Sequence, residues 1–157
     1  KGHAVGYALI SQEEMWFKVH HPMVFWYVKL KQADMDGDGR RFIKECAADG
    51  NIIFLPHVNY SKPDFSLRSI EGEKCIQHGL VSVKGCGLKA AVEIYNERKK
   101  HGVFKSYDDF YDRCKSRLVN ARVIRVLGEA GALEFDKQKY INSVTKYNTN
   151  LILSAGE

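Results

Sequence analysis

The apolar positions of this chain change period several times, and each change marks an element. Across residues 7–18 they recur at helical intervals, with Leu9/Ile10 and Trp16/Phe17 among them. Pro22 cannot continue that helix but suits the first turn of another, so residues 23–31 predict a second, strongly apolar helix. The aromatic density there (Trp16, Phe17, Phe25, Trp26, Tyr27) predicts core. Residues 34–39 read as a polar, Gly-rich link, and 41–48 as a short helix with Phe42, Ile43 and Cys46 inward, stopped by Gly50. Residues 52–55, ahead of Pro56, predict a buried strand, 59–64 a loop, and 65–70 a second strand. A turn at Glu71-Gly72-Glu73 leads into a third strand over 75–81.

That apolar segment (Leu80, Val81, Val83) runs into Lys84-Gly85-Cys86-Gly87, and an amphipathic helix leaves it. Leu88, Ala91, Val92 and Tyr95 fall at i, i+3, i+4 and i+7, one helical face. Glycines on both sides of Cys86 let the backbone turn tightly and approach another body. The helix points its free amides and positive dipole end at the same spot, a geometry that binds phosphate, with Lys84 and Lys89 alongside. The spacing resembles a helix-hairpin-helix motif, a sequence-independent binder of the nucleic-acid backbone. A packed turn between two helices would use the same residues.

Further on, Gly102 closes a basic helix end. Ser106-Tyr107-Asp108-Asp109 forms a capping-box pattern opening a helix that holds Phe110 and Cys114. Asn120 reads as the next N-cap, with Val123, Ile124, Leu127 and Ala130 on one face and Gly131 as C-cap. A final helix from Asp136 carries Tyr140, Val144 and Tyr147. Residues 103–133 thus form a weaker echo of the first hairpin, with Gly131 expected to offer a second backbone turn to the same duplex.

Charge sharpens the picture. The net charge is +5, and residues 80–125 hold eleven Lys/Arg against five acids, so the positive excess sits on the hairpins. A solvated face is the plain alternative. A hydrophobic content of 45% and a charged content of 27% over 157 residues suit one domain with a proper core, or two small ones. The longest apolar run, 23–28, cannot span a membrane. Lys1 in place of Met, with no charged-then-apolar leader, suggests an internal piece of a longer chain. The four cysteines (46, 75, 86, 114) lack zinc spacing and read as reduced thiols of an intracellular, cytoplasmic protein, which makes the Asn59-Tyr60-Ser61 sequon a coincidence. His20 and His21, at the helix break, read as packing rather than metal ligands.

Two catalytic or metal readings compete. Asp34-x-Asp36-x-Asp38-Gly39 with Glu45 fits an EF-hand calcium loop, although Arg41 takes a position normally aliphatic and no second loop follows. Asp108 and Asp109 lie where helix-hairpin-helix glycosylases carry a catalytic Asp, but in a capping-box context. No Ser/His/Asp or Cys/His set, Walker loop or paired-carboxylate metal site stands out, and no catalytic residue is assigned.

Taken in order, the motifs are Lys1-x-His3-Ala4-x-x-Tyr7-Ala8-Leu9-Ile10-Ser11, Trp16-x-Lys18-x-His20-x-Pro22-x-x-Phe25, Leu55-Pro56-x-Val58-Asn59 and Phe65. Gly79-Leu80-x-x-Val83-Lys84-Gly85-x-Gly87 follows, then Phe104-x-Ser106-x-x-Asp109-Phe110, Arg113, Asn120-x-Arg122-Val123-Ile124 and Ala130-Gly131-Ala132-Leu133. This series, over residues 1–148, resembles the alpha subunit of bacterial DNA polymerase III, the C-family replicative polymerase. The resemblance implies that residues 1–31 are the end of the fingers, with Lys1 and His3 near the incoming nucleotide. It implies that 32–135 are a tandem helix-hairpin-helix domain holding the new duplex: lead-in 33–75, first hairpin 76–102, second hairpin 103–135. Residues 136–157 form a C-terminal helix and tail. The magnesium-binding palm would lie upstream, leaving this stretch without a cofactor. Cys86 stands where such hairpins commonly have Val or Ile, the Gly37-Asp38-Gly39 link is unusual, and no sliding-clamp motif is evident.

The expected fold is therefore mainly α with a small β element, and the expected DNA contacts are Lys84, Gly85, Cys86, Gly87, Lys89 and Gly131. Expected partners are double-stranded primer–template DNA, the rest of the polymerase chain and, through it, replisome subunits such as the sliding clamp; no membrane is expected. The alternative is a protein-interaction or calcium-binding module over Asp34, Asp36, Asp38 and Glu45.

Overall fold

The computed structural model describes residues 2–36 and 38–155, with only the backbone described for His3 and residues 34–36. It is mainly helical with one small sheet, as the periodicities predict. Helices α1 (Gly2–His20) and α2 (Pro22–Asp36) meet at His21. Pro22 takes the first turn, where its missing N–H costs nothing. α1 starts earlier than expected because Ala4 and Ala8 favour helix despite Gly2 and Gly6. α2 buries Trp26, Leu30 and Ala33, at i, i+4 and i+7. Trp16 and Phe17, expected in the core, are 52% and 47% exposed, because α1 packs chiefly on α2 and these side chains lie largely off that contact. α3 (Gly39–Ala48) buries Cys46 and Ala47.

Strands β1 (Ile53–Phe54), β2 (Ser66–Ile70) and β3 (Glu73–Gln77) form a sheet in the order β1-β3-β2. β1 runs parallel to β3 and β2 antiparallel, so Ile76 lies between Ile53 and Leu67. The β2–β3 turn has positive φ at both Glu71 (53°) and Gly72 (85°), as a type I′ hairpin needs. On the open edge of β1, Asn148 acts as a stand-in strand: its Oδ1 accepts from Ile53 N–H (2.9 Å) and its Nδ2 donates to Ile53 O (2.8 Å). Asn148 belongs to α7 (Lys137–Ala155), which buries Tyr140 and Val144 against the sheet and also packs on α3. An edge covered in this way is not open to pairing with another chain.

The third strand expected over 75–81 ends at Gln77. Leu80 and Val83 instead stack at i, i+3 in a 3₁₀ turn (Leu80–Ser82), both buried, with Val83 N–H bonded to Leu80 O at 3.2 Å. Apolar residues at 80, 81 and 83 fit either period, and burial of positions 80 and 83 decides between them. Helices α4 (Leu88–His101), α5 (Tyr107–Cys114) and α6 (Ala121–Glu129) follow. One core joins them, including Val83, Cys86, Ala91, Ile94, Phe104, Phe110, Val119, Ile124 and Leu127. The two hairpins are therefore a single packed body.

The loop before β2 ties that body to the sheet. Val58 N–H donates to Ala132 O (3.0 Å), and Asn59 exchanges two 2.8 Å bonds with the backbone of Phe104. The Arg98 guanidinium on α4 donates to Val58 O and, at 2.7 Å, to Ser61 O. His57 is held neutral: its Nδ1 accepts from Asn59 N–H (3.0 Å) while Nε2 faces Glu134 O at 2.6 Å.

Candidate nucleic-acid interface

The first hairpin is seated by its own backbone. Leu80 N–H donates to Lys62 O and Val81 N–H to Pro63 O, both at 3.0 Å. Gly79 makes this approach feasible, since a Cβ there would stand 2.4 Å from the Asp64 backbone. Gly85 then turns the chain at φ +102°, a conformation that L side chains rarely adopt. Cys86 N–H closes the turn on Val83 O at 2.9 Å, and the Cys86 side chain goes into the shared core at 4% exposure. Gly87 is extended and carries no side-chain cap. The first helical bond of α4 runs from Ala91 N–H to Gly87 O (3.0 Å), so the amides of residues 88–90 have no partner inside the helix.

Lys84, Gly85, Gly87 and Lys89 are all exposed around these amides. Among the described residues neither lysine has an ion-pair partner. Open amides, a helix dipole and two unpaired cations are together a geometry suited to an anion.

The second hairpin is built differently. Ser106 Oγ accepts from Asp109 N–H (3.2 Å), and Asp109 Oδ2 accepts from Lys105 N–H (2.9 Å), so the capping box opens α5 as predicted. Asn120 caps α6, accepting from both Arg122 and Val123 N–H at 3.1 Å. Gly131 does not offer a free turn. It sits at φ +74° after α6, where its N–H is bonded to Gly128 O (3.1 Å) and Ala132 N–H to Leu127 O (2.9 Å), the bonds of a helix C-cap. Its expected DNA contact lacks the open amide that contact requires.

The basic footprint also divides in two. Arg98 and Arg113 are structural. Arg98 holds loop carbonyls, and Arg113 binds Glu97 (3.0 Å), Asp109 (3.3 Å) and Gly102 O (2.9 Å) while lying 4.4 Å over the Phe104 ring. Arg113 holds the Glu97 carboxyl below its usual range. The bond from the Lys105 amide, helped by Arg113, does the same for Asp109. A carboxylate held in this way is a poor general base, which argues against Asp109 in a glycosylase role. Sequence spacing could not separate these two arginines from the exposed cations, because apart from Asp109, one turn back on α5, their carbonyl and carboxylate partners come from other elements.

The calcium pattern falls on other backbone. α2 runs to Asp36 and α3 begins at Gly39, so residues 34–36 and 39–45 lie in helices and not in the open twelve-residue loop an EF-hand needs. Glu45, the expected bidentate ligand, pairs with Arg41 at 2.9 Å. The side chains of Asp34 and Asp36 lie outside the described residues, as do Lys1 and the side chain of His3. Asp38 precedes α3 without a side-chain capping bond. All four cysteines are buried and free, and burial pushes the thiols of Cys46 and Cys114 up to about 12.

An open Gly-x-Gly turn on one of two hairpins that share a core defines a class. Residues 50–139 match the family described as helix-hairpin-helix motif, and the chain belongs to that family. Over most of its length it is also similar to DNA polymerase III subunit alpha. It is 37% identical to that of Aquifex aeolicus over 139 residues, 88% of this chain and 12% of the relative. With Thermus aquaticus the figures are 37% over 135 residues, 85% and 11%, and with Pseudomonas aeruginosa 30% over 165 residues, 100% and 14%. The chain thus spans 11–14% of the length of these relatives. No helix among the described residues is long and apolar enough to cross a membrane.

Proposed function

We propose that this chain grips the phosphate backbone of duplex DNA, as the duplex-holding part of a cytoplasmic replicative polymerase. The observation that carries this reading is the uncapped N-terminus of α4 behind Gly85-Cys86-Gly87, with Lys84 and Lys89 unpaired beside it. Gly85, Cys86 and Gly87 contribute backbone, and the lysines contribute charge. Phosphate contacts of this kind position a duplex and read no sequence.

Template-directed nucleotidyl transfer, and the magnesium ions it uses, belong in this reading to a palm elsewhere in the polymerase. Lys1 and His3 would lie toward the incoming nucleotide. The exposed apolar faces of α1, among them Leu9, Met15, Trp16 and Val19, suit burial against the rest of a polymerase chain. The sliding clamp and other replisome subunits would be met through that larger protein. The duplex in question is the newly made primer–template product.

Fluorescence anisotropy with two unrelated duplexes at low salt tests the reading. Equal affinity for both is expected, with a marked loss in the K84A/K89A variant. Strong preference for one sequence, or indifference to the double substitution, would overturn it.

A further inference from the structure

The two hairpins differ in what their turns leave available. In the second, the turn between α5 and α6 is closed on itself. Ser116 N–H donates to Val119 O (3.2 Å), while Ser116 Oγ accepts from Leu118 N–H (3.2 Å) and Val119 N–H (3.1 Å). Asn120 Oδ1 takes the next two helix amides, those of Arg122 and Val123. Ser116 Oγ also donates to the Glu93 carboxylate on α4, which fixes the turn against the first hairpin's helix. Five amides that could have faced a phosphate are therefore engaged internally. In the first hairpin the corresponding helix start is uncapped.

The second turn carries charge instead. Arg117 lies within it and Arg122 in the first turn of α6, and both are exposed. Neither has an ion-pair partner among the described residues. Lys115 beside them is turned onto the Tyr111 ring, 4.6 Å from its centroid. Val126, one helical turn beyond Arg122 and on the same side of α6, touches the bare Cα side of Gly85. The exposed edge of α6 therefore continues the surface of the first hairpin's turn.

We infer that Arg117 and Arg122 are the phosphate ligands of the second hairpin, so that one hairpin grips the backbone through amides and the other through guanidinium groups. The ligand class is the phosphodiester of duplex DNA, and the inference rests on the duplex-gripping reading above. A guanidinium presents two parallel N–H donors to a phosphate, which a turn without free amides cannot do. Amides fix the position of one strand, and side chains on a closed turn can follow a backbone that moves past.

The test is the salt dependence of duplex binding by the purified chain, with R117A/R122A, R117K/R122K and K84A/K89A beside the parent. R117A/R122A should flatten the slope of log K against log salt by about two, and R117K/R122K should restore most of it. Circular dichroism should show all variants folded, since both arginines are exposed. If R117A/R122A leaves the slope unchanged while K84A/K89A flattens it, the assignment of the arginines fails and the first-hairpin site stands. If neither pair matters, the gripping reading fails and takes the inference with it.

Discussion

Gly85 meets Val126 across the two hairpins: a methyl built on the glycine would stand 3.4 Å from both valine methyl carbons. The first turn thus leans on α6, and its left-handed residue (φ +102°) holds a backbone conformation that strains any L side chain even though a Cβ would only reach ordinary contact. Gly85→Ala should destabilise the chain by about 1–3 kcal/mol through backbone strain. Urea unfolding measures this, and an unchanged midpoint would mean that the turn is not held in this conformation.

Gly79 and Gly87 provide a contrast within one turn. A Cβ at Gly79 would stand 2.4 Å from Asp64 backbone atoms, which cannot swing aside, while one at Gly87 meets nothing within 4 Å. Gly79→Ala should cost about 1–3 kcal/mol or more as an overpacked contact, and Gly87→Ala well under 1 kcal/mol. Paired thermal melts decide the matter, and equal costs would contradict the seating of the hairpin on residues 62–64.

Arg98 should matter for folding rather than for DNA. Its guanidinium satisfies Val58 O and Ser61 O in a setting where burial lowers its pKa. Arg98→Met leaves those carbonyls without their charged donor and should cost about 1.5–3 kcal/mol. The salt slope of DNA binding should stay as it was at temperatures where the variant is folded. A flattened slope with unchanged stability would place Arg98 in the DNA site instead.

How far the residues alone reveal this fold can be judged from such pairs. The Ser106–Asp109 box and the Asn120 cap are local patterns, and the structure carries both. The helix α4 forms as its spacing predicts, but it buries Ala90, Ala91 and Ile94, while Leu88 and Val92 of the expected face are 62% and 37% exposed. What stayed hidden depends on distant partners. Arg98 and Lys84 look alike in sequence, and only the loop at 57–61, folded back from an earlier element, engages one and not the other. Gly131 is readable as a C-cap, but the bond that closes its amide on Gly128 O, and so removes the open turn expected for DNA, does not show in its residue type. Trp16 and Phe17 read as core because aromatic density says nothing about whether a second surface is present.

Two buried histidines set a pH window. Burial pushes His78 down to about 4 and lowers His57 below its ordinary 6.5. Both pKa values are lower in the folded state, so the unfolded chain binds more protons as pH falls below 6.5. Stability is full above that pH and declines toward the folded values. Between pH 7 and 5, His78 alone should remove about 2 kcal/mol. Glu97 and Asp109, both lowered, act in a separate and more acidic window, below their ordinary 4.5 and 3.8. Urea midpoints at pH 7 and 5 should differ in the parent and differ less in His78→Phe, where the contribution of His57 remains; a parent midpoint that does not move would contradict neutral burial of these rings.

The central claim, that this chain holds DNA by its phosphates, is tested most directly by the salt dependence of duplex binding. With Lys84, Lys89, Arg117 and Arg122 each neutralising one phosphate, log K should fall against log salt with a slope of about −3.6. An affinity that stays constant as salt rises would contradict it.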